Sequence, residues 1–279
     1  MTTLDDRLAA LHAELAPLPG VLVAFSGGVD SGVVLAAAVR ALGTDRVVAA
    51  TAVSPSLPAV EREAAAAFVA SLGARHEQPR TDELSREGYR ANAGDRCAFC
   101  KSELVDVLTP LAARLGIADV VTGTNADDLR AGFRPGIRAA AERGAWAPLA
   151  RAGLTKDDVR AAARRWELPL ADKPAAACLA SRIAYGVPVS AEGLARVENA
   201  ETALRTALTR AGLEVRDLRV RDLGGDVAHV EVDAPLVAEI ERRPEVLAAV
   251  TGFDRVEVDP RGFRSGSMNE LLPDPVRYR

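Results

Sequence analysis

Through the first two thirds of the chain, short apolar runs alternate with longer stretches of helical period. A helix is expected over residues 4–16, and the apolar run VLVAFS at 21–26 is of strand type and ends in a glycine turn. A second helix is expected from Ser31 to Leu42, then the strand VVAATAV at 47–53 and a proline-containing loop at 54–58. The helix AVEREAAAAFVASLG leads to a short strand from Arg75 to Gln78. This alternation predicts an α/β fold, an open and mostly parallel sheet with helices on both faces. Further on, KSELVDVLTPLAARLG reads as a helix that Pro110 kinks or interrupts unless the proline starts a new turn. ADVVTGT at 118–124 reads as a strand ending in glycine, and TKDDVRAAARRW at 155–166 as a helix capped by Thr155, with Asp158 as the acidic partner of a capping box.

Near Val187 the texture changes. Residues 190–212 predict a long helix with an interruption at Gly193, and residues 217–233 alternate around Gly224 and Gly225 as an antiparallel hairpin does. LVAEIERRPEVLAAVTGF is helical with a break near Pro244, and RVEVDP reads as a closing strand. Two domains are therefore expected, residues 1–187 with the parallel sheet and residues 188–279 as a small α/β domain. No internal repeat or low-complexity tail is visible.

Composition narrows the function classes. Of 279 residues 48% are apolar and 27% charged, as in a folded globular chain, while aromatics at 4% leave the core to Ala, Leu and Val. No run approaches a membrane span, and MTTLDDRLAAL lacks the basic and apolar regions of a signal peptide, so a cytoplasmic protein without membrane partners is expected. A net charge of −4 gives no global field for nucleic acid. The basic residues are nearly all arginine; the lysines are Lys101, Lys156 and Lys173. Three cysteines in a reducing compartment favour ligation, catalysis or burial over a disulfide scaffold.

The most informative stretch is AFSGGVDSGVVL. Gly27 and Gly28 permit a close backbone approach, and the N–H groups of the turn and helix start form an anion cradle to which Ser26 and Ser31 add hydroxyls. Asp30 would repel a polyphosphate there unless a cation such as Mg²⁺ intervened. The GxxxxGK[ST] and GxGxxG patterns are both absent; the plain alternative is a tight strand-to-helix connection. A second polar group, Gly123, Thr124, Asn125, Asp127 and Asp128, follows the strand at 118–124 and is expected to share the crevice at the carboxyl ends of the strands. Asn125 and Asp127 also suit a helix cap, and Asp128 is the better second ligand for magnesium.

Cys97-x-x-Cys100 admits several readings. A redox pair should follow a strand, but LSREGYRANAGD reads as loop; a zinc site would need His76 or His229 beside the three thiolates. With Cys178, three thiolates could hold three irons of a [4Fe–4S] cluster and leave the fourth open; buried structural thiols are the plain alternative.

Ser26-Gly27-Gly28-Val29-Asp30-Ser31 resembles the SGG-x-D-S pyrophosphate loop of the N-type ATP pyrophosphatase superfamily, whose members cleave ATP between the α and β phosphates. The resemblance implies that Ser26, Gly27, Gly28 and Ser31 hold pyrophosphate, with Asp30 near Mg²⁺. More specifically, RCAFCK, RPG at 134–136, APLARAGLTKDDVR at 147–160, DKPAAACLASRIAYG and GFRSGSMN at 262–269 resemble the LarE family of sulfur transferases, in that order and over most of the chain. The family makes the thiocarboxylates of the nickel-pincer nucleotide cofactor of lactate racemase. The resemblance implies adenylation by ATP of a carboxylate of pyridinium-3,5-biscarboxylic acid mononucleotide, attack by sulfur on the acyl-adenylate, and release of AMP.

In some members the cysteine matching Cys178 gives up its sulfur and becomes dehydroalanine. The three-cysteine pattern of Cys97, Cys100 and Cys178 implies instead a [4Fe–4S] cluster delivering a bound sulfide, and hence a sulfide source as partner. Family members form closed oligomers, so a homo-oligomer is expected. A substrate with two carboxylates and a phosphate calls for guanidinium groups, and Arg96, Arg182, Arg219, Arg221 and Arg264 are candidates. Arg219 and Arg221 share one strand face, which could equally be solvated; Arg264 lies in a glycine-rich loop that could be a surface tail. Lys101 or Lys173 is expected to stabilise phosphate charge. Two departures from the family pattern are Asp222, where His is frequent, and Arg151, where an acid is common. Competing readings are a tRNA thiolase or amidotransferase-like synthetase with the same loop, and a non-catalytic iron–sulfur or zinc-binding module.

Overall fold

A computed structural model describes residues 2–130, 135–174, 177–264 and 266–272. Arg134, Ala175, Ala176 and Ser265 of the strings above lie outside the described residues. In chain order the elements are α1 (Leu4–Leu15), β1 (Val21–Ala24), α2 (Val29–Leu42), β2 (Val47–Ala50), α3 (Ala59–Ser71), β3 (Arg75–Glu77), α4 (Glu87–Arg90), α5 (Arg96–Arg114) and β4 (Asp119–Val121). Then come α6 (Ala126–Arg130), α7 (Pro135–Ala141), α8 (Pro148–Arg151), α9 (Lys156–Arg165), α10 (Ala191–Arg210), β5 (Leu218–Asp222), β6 (Val227–Val232), α11 (Val237–Glu241), α12 (Pro244–Leu247) and β7 (Arg255–Val258). They gather into two compact units. The first takes the chain up to Glu83 and again from Cys97 to 176; the second takes Leu84–Arg96 and the chain from Ala177.

In the first unit four parallel strands lie in the order β3-β2-β1-β4. Val21 is in register with both Val47 and Asp119, and Val48 with Arg75. The strands β1 and β2 are apolar without alternation because both faces are covered. Side chains of period two divide between the faces. Val21, Val23 and Phe25 join a core with α2, α3 and α9, whereas Leu22 and Ala50 meet Val105, Leu108 and Leu111 of α5. Phe25 stacks on Phe68 with ring centroids 5.4 Å apart, a rare aromatic pair in an aliphatic core. Strand order reverses between β1 and β4, which places a topological switch point at their carboxyl ends.

The helix α5 departs from expectation at two points. It runs through Pro110 without a break, because Leu108, Leu111 and Ala112 are buried against the sheet while the proline lies on the solvent side. It also begins at Arg96, earlier than the pattern suggests, after a turn in which Arg96 N–H donates to Ala93 C=O at 3.0 Å. The cysteine pair therefore rides on the first turn of a helix, and the segment before it is not all loop, since α4 forms one helical turn there.

In the second unit α10 is continuous through Gly193, whose N–H is capped by Ser190 Oγ at 3.0 Å. The strands β5 and β6 form the antiparallel hairpin, with Leu218 opposite Val232, and Gly224, Gly225 and Asp226 all turn with positive φ. The closing strand β7 joins β6 in parallel, giving the order β5-β6-β7. Leu204 and Leu208 of α10 pack on Leu218, Val220, Val230 and Val232 in a separate core.

Candidate functional site

Where β1 ends, Phe25 N–H donates to Ala50 C=O at 2.8 Å, and the chain then leaves the sheet through Ser26, Gly27 and Gly28. Gly27 has φ 76, in the left-handed region that glycine enters without strain. Gly28 caps α2 and offers no side-chain acceptor, so no N-cap side chain takes up the first-turn N–H groups among the described residues. Ser31 Oγ accepts from Ser26 N–H at 3.2 Å, lies 3.2 Å from Ser26 Oγ and donates to Gly28 C=O at 3.1 Å, closing the loop over the helix start.

Gly123 earns its place by contact. A Cβ there would lie 2.6 Å from Ser31 N and 2.9 Å from Ser31 Cα, so only glycine lets the segment after β4 cross the first turn of α2. That crossing brings in Asn125, whose Nδ2 donates to Asp30 Oδ1 at 2.9 Å. The same side chain caps α6, its Oδ1 accepting from the N–H groups of Asp127 at 2.9 Å and Asp128 at 3.1 Å. Asp128 Oδ2 returns to Asn125 N–H at 3.2 Å. Capping and site geometry, alternatives in the sequence, thus coexist in one residue.

The sequence pattern missed Lys156. Its Nζ is hydrogen-bonded to Asp30 Oδ2, and its N–H, at the start of α9, donates to Asp127 Oδ2 at 2.8 Å. The repulsion between Asp30 and a polyphosphate is thereby met by an ammonium already in the protein. Lys173, left undecided against Lys101, stands at the loop: its Nζ donates to Gly27 C=O at 3.0 Å and to Glu61 Oε2 at 2.6 Å. Lys101 lies elsewhere in the unit, where a Cβ on Gly136 of the RPG string would come 2.7 Å from its Cγ and 3.0 Å from Cys97 C=O. The rarity of lysine among 35 basic residues was the available signal for Lys156 and Lys173.

Among the described residues no disulfide joins Cys97, Cys100 and Cys178, and Cys97 and Cys178 are exposed. Spacing of three residues sets Cys97 and Cys100 on one face of α5. The sulfur of Cys100 lies 4.0 Å from Glu83 Oε1, a buried carboxylate whose other oxygen has no hydrogen-bond partner among the described residues. Cys178, in the second unit, precedes a tight helical turn, and its carbonyl accepts from Ser181 N–H and Oγ and from Arg182. Among the described residues no group of three or more His, Cys, Asp or Glu side chains is gathered to hold a metal ion. His76, considered for zinc, is instead 2.9 Å from Thr51 Oγ1, and burial lowers its pKa against the opposing pull of Glu77. His229 is paired with Glu257.

The arginine candidates fall in the second unit. Arg219 and Arg221 do not line a solvated face; both are buried. Arg221 forks onto Glu231 at 2.9 and 2.6 Å and reaches Ser181 C=O, while buried Arg182 binds Glu201 at 2.8 Å. Arg219 lies over the Phe263 ring, 5.1 Å from its centroid. Burial, followed by the charge of Arg182, lowers its pKa, with Arg221 adding to the effect. The charges of Glu201 and Asp217 oppose that lowering. Arg96 is instead a brace, bonded to Asn92 Oδ1 and Ala180 C=O and lying over Tyr185. Arg264 is not a free tail residue, since it pairs with Glu270. Of the two departures, Asp222 is buried against Arg196 at 2.5 Å, and Arg151 lies over Trp146 and 3.6 Å from Glu14.

The NAD synthase family pattern matches residues 6–94, the span that contains the glycine loop. The chain is 40% identical over 274 residues to an uncharacterised protein of Synechocystis sp., covering 96% of this chain and 99% of the relative. It is 34% identical over 276 residues to the pyridinium-3,5-bisthiocarboxylic acid mononucleotide synthase of Lactiplantibacillus plantarum, covering 98% and 97%. The chain belongs to the LarE family. A further relative of this LarE member, an uncharacterised protein of Methanocaldococcus jannaschii, is 31% identical over 176 residues, 62% of this chain and 66% of its own. Kinship with a LarE-type synthase along nearly the whole chain supports an enzymatic role in general terms. No helix among the described residues of the LarE chain is long and apolar enough to cross a membrane.

Proposed function

We propose that the protein is an ATP-dependent sulfur transferase that converts a carboxylate of pyridinium-3,5-biscarboxylic acid mononucleotide to a thiocarboxylate, on the way to the nickel-pincer cofactor. The observation that carries this reading is the meeting, at one switch point, of an α2 start without a side-chain cap and the ammonium groups of Lys156 and Lys173. That arrangement suits a polyphosphate. A substrate carboxylate oxygen attacks the α-phosphorus of ATP, the bond from that phosphorus to the α,β-bridging oxygen breaks, and pyrophosphate leaves with the electron pair. Backbone N–H groups at Gly27, Gly28 and Ser31 stabilise the charge that develops. A sulfur nucleophile then adds to the acyl carbon and AMP departs. Arg182, Arg219, Arg221 and Arg264 are proposed for the substrate's phosphate and carboxylates, with Arg96 supporting the segment that carries Cys178.

Asp30 and Asp128 provide the hard oxygen donors that Mg²⁺ takes, and Mg²⁺ would further neutralise the polyphosphate. Cys97, Cys100 and Cys178 provide the soft thiolates that an iron–sulfur cluster takes, and a [4Fe–4S] cluster would supply sulfide at its open iron. Exposure of Cys178 also favours a second reading, in which its own sulfur is transferred and the residue becomes dehydroalanine. Three thiols outside any disulfide suit a reducing cytoplasm. Anaerobic purification with iron and sulfide analysis, followed by single-turnover assay and intact-mass measurement, separates the two. Cluster delivery predicts bound iron, thiocarboxylate product and unchanged polypeptide mass; product without iron, with the mass of hydrogen sulfide lost, establishes sacrifice of Cys178. Absence of thiocarboxylate under both conditions overturns the proposed activity.

A further inference from the structure

Lys173 is held in a way that a purely structural ion pair does not require. An ammonium has three N–H donors. Among the described residues two acceptors take them, Gly27 C=O at 3.0 Å and Glu61 Oε2 at 2.6 Å, and this leaves one donor at the loop. The Lys173 side chain is 18% exposed and that of Glu61 22%, so the pair is sheltered but reachable. The ammonium lies 3.8 Å from the position a Cβ on Gly27 would take, beside the backbone that forms the anion cradle. Its charge also offsets that of the Gly27 carbonyl, which would otherwise oppose an anion bound to the neighbouring N–H groups.

We propose that Lys173 is a further catalytic residue, one that carries the charge of the departing pyrophosphate, and that Glu61 is the positioning residue that holds Lys173 on Gly27 until the polyphosphate arrives. The inference rests on the ATP-site reading above. As the bond between the α-phosphorus and the bridging oxygen breaks, negative charge grows on the β-phosphate. The Lys173 ammonium exchanges its bond to Glu61 for one to that phosphate, and no proton is transferred. Glu61 is then a competitor for the lysine as well as its anchor, so the two residues affect pyrophosphate in opposite directions.

Calorimetric titration of pyrophosphate with Mg²⁺, and of AMP as a ligand without β and γ phosphates, into wild-type protein, Lys173→Met and Glu61→Gln tests this. Losing a charge-assisted hydrogen bond should weaken pyrophosphate binding about tenfold or more in Lys173→Met, with AMP affinity within about twofold of wild type. Glu61→Gln should tighten pyrophosphate about threefold, because one anionic competitor is gone. If both variants lose pyrophosphate and AMP alike, the pair is only structural and the inference is overturned. It is overturned equally by Lys173→Met binding pyrophosphate as wild type does. In either case the ATP-site reading stands as long as wild-type protein binds pyrophosphate; a wild type that does not bind it overturns both.

Discussion

Asp30 shows how a single carboxylate can sit beside a phosphate-binding loop. One oxygen accepts from Asn125 Nδ2 and the other binds the Lys156 ammonium, so its charge is compensated without help from solvent. Lys156 is aimed there by the cap of its own helix. Thr155 Oγ1 accepts from Asp158 N–H, and Asp158 Oδ2 accepts from the N–H and hydroxyl of Thr155, at 2.8 and 2.5 Å. Thr155→Ala is expected to cost about 1 kcal/mol of folding free energy, measurable by urea denaturation. Burial pushes the Asp158 carboxyl up, but hydrogen bonds from Thr155 and the charge of Arg7 outweigh it and hold the pKa below its ordinary 3.8. A depressed carboxyl stabilises the fold fully above its unfolded pKa and loses that contribution as pH falls through the folded one. The deficit of Thr155→Ala should therefore be constant from neutral pH down to about pH 5 and shrink below about pH 4. A deficit that grows on acidification would contradict this account.

At the scale of elements, the site depends on two glycines that let backbones touch. Gly123 admits the β4 extension onto the first turn of α2, and Gly136 seats α7 against the turn that carries Cys97. Because the obstacle to a Cβ on Gly123 is Ser31 backbone, Gly123→Ala must displace the start of α2. An overpacking cost of about 1–3 kcal/mol is expected. Pyrophosphate affinity should fall by about tenfold, as measured by calorimetry. Unchanged affinity would mean that the first turn of α2 is not the anion cradle.

The elements that were legible in the sequence are those with local chemistry: the glycine turn after β1, the capping box of α9, and the Gly224–Gly225 hairpin. Those misread were decided by distant packing. The buried face of α5 overrides Pro110. Likewise the alternation of Arg219 and Arg221 could not distinguish a wet face from a buried one. Glu231, in register opposite Arg219, and Glu201 on α10 provide the counter-charges that make burial possible.

At the scale of the whole molecule, the two units divide the chemistry. The loop, Lys156 and Lys173 lie in one, and the buried arginines in the other, each beside its own apolar core. A net charge of −4 conceals this, since the cationic groups proposed to recognise a nucleotide and a dicarboxylate are local and largely paired with acids. The sequence exposed the ATP loop because its spacing is contiguous; Lys156 reaches Asp30 across 126 positions and could be found only in three dimensions.

The central claim is adenylation of a substrate carboxylate. Its most direct test supplies pyridinium-3,5-biscarboxylic acid mononucleotide with ¹⁸O in its carboxylates, together with ATP and a sulfide source, and analyses the nucleotide products by mass spectrometry. The account predicts pyrophosphate and AMP, with one carboxylate ¹⁸O carried into each AMP as the thiocarboxylate forms. ADP and orthophosphate, or AMP without the label, would contradict it.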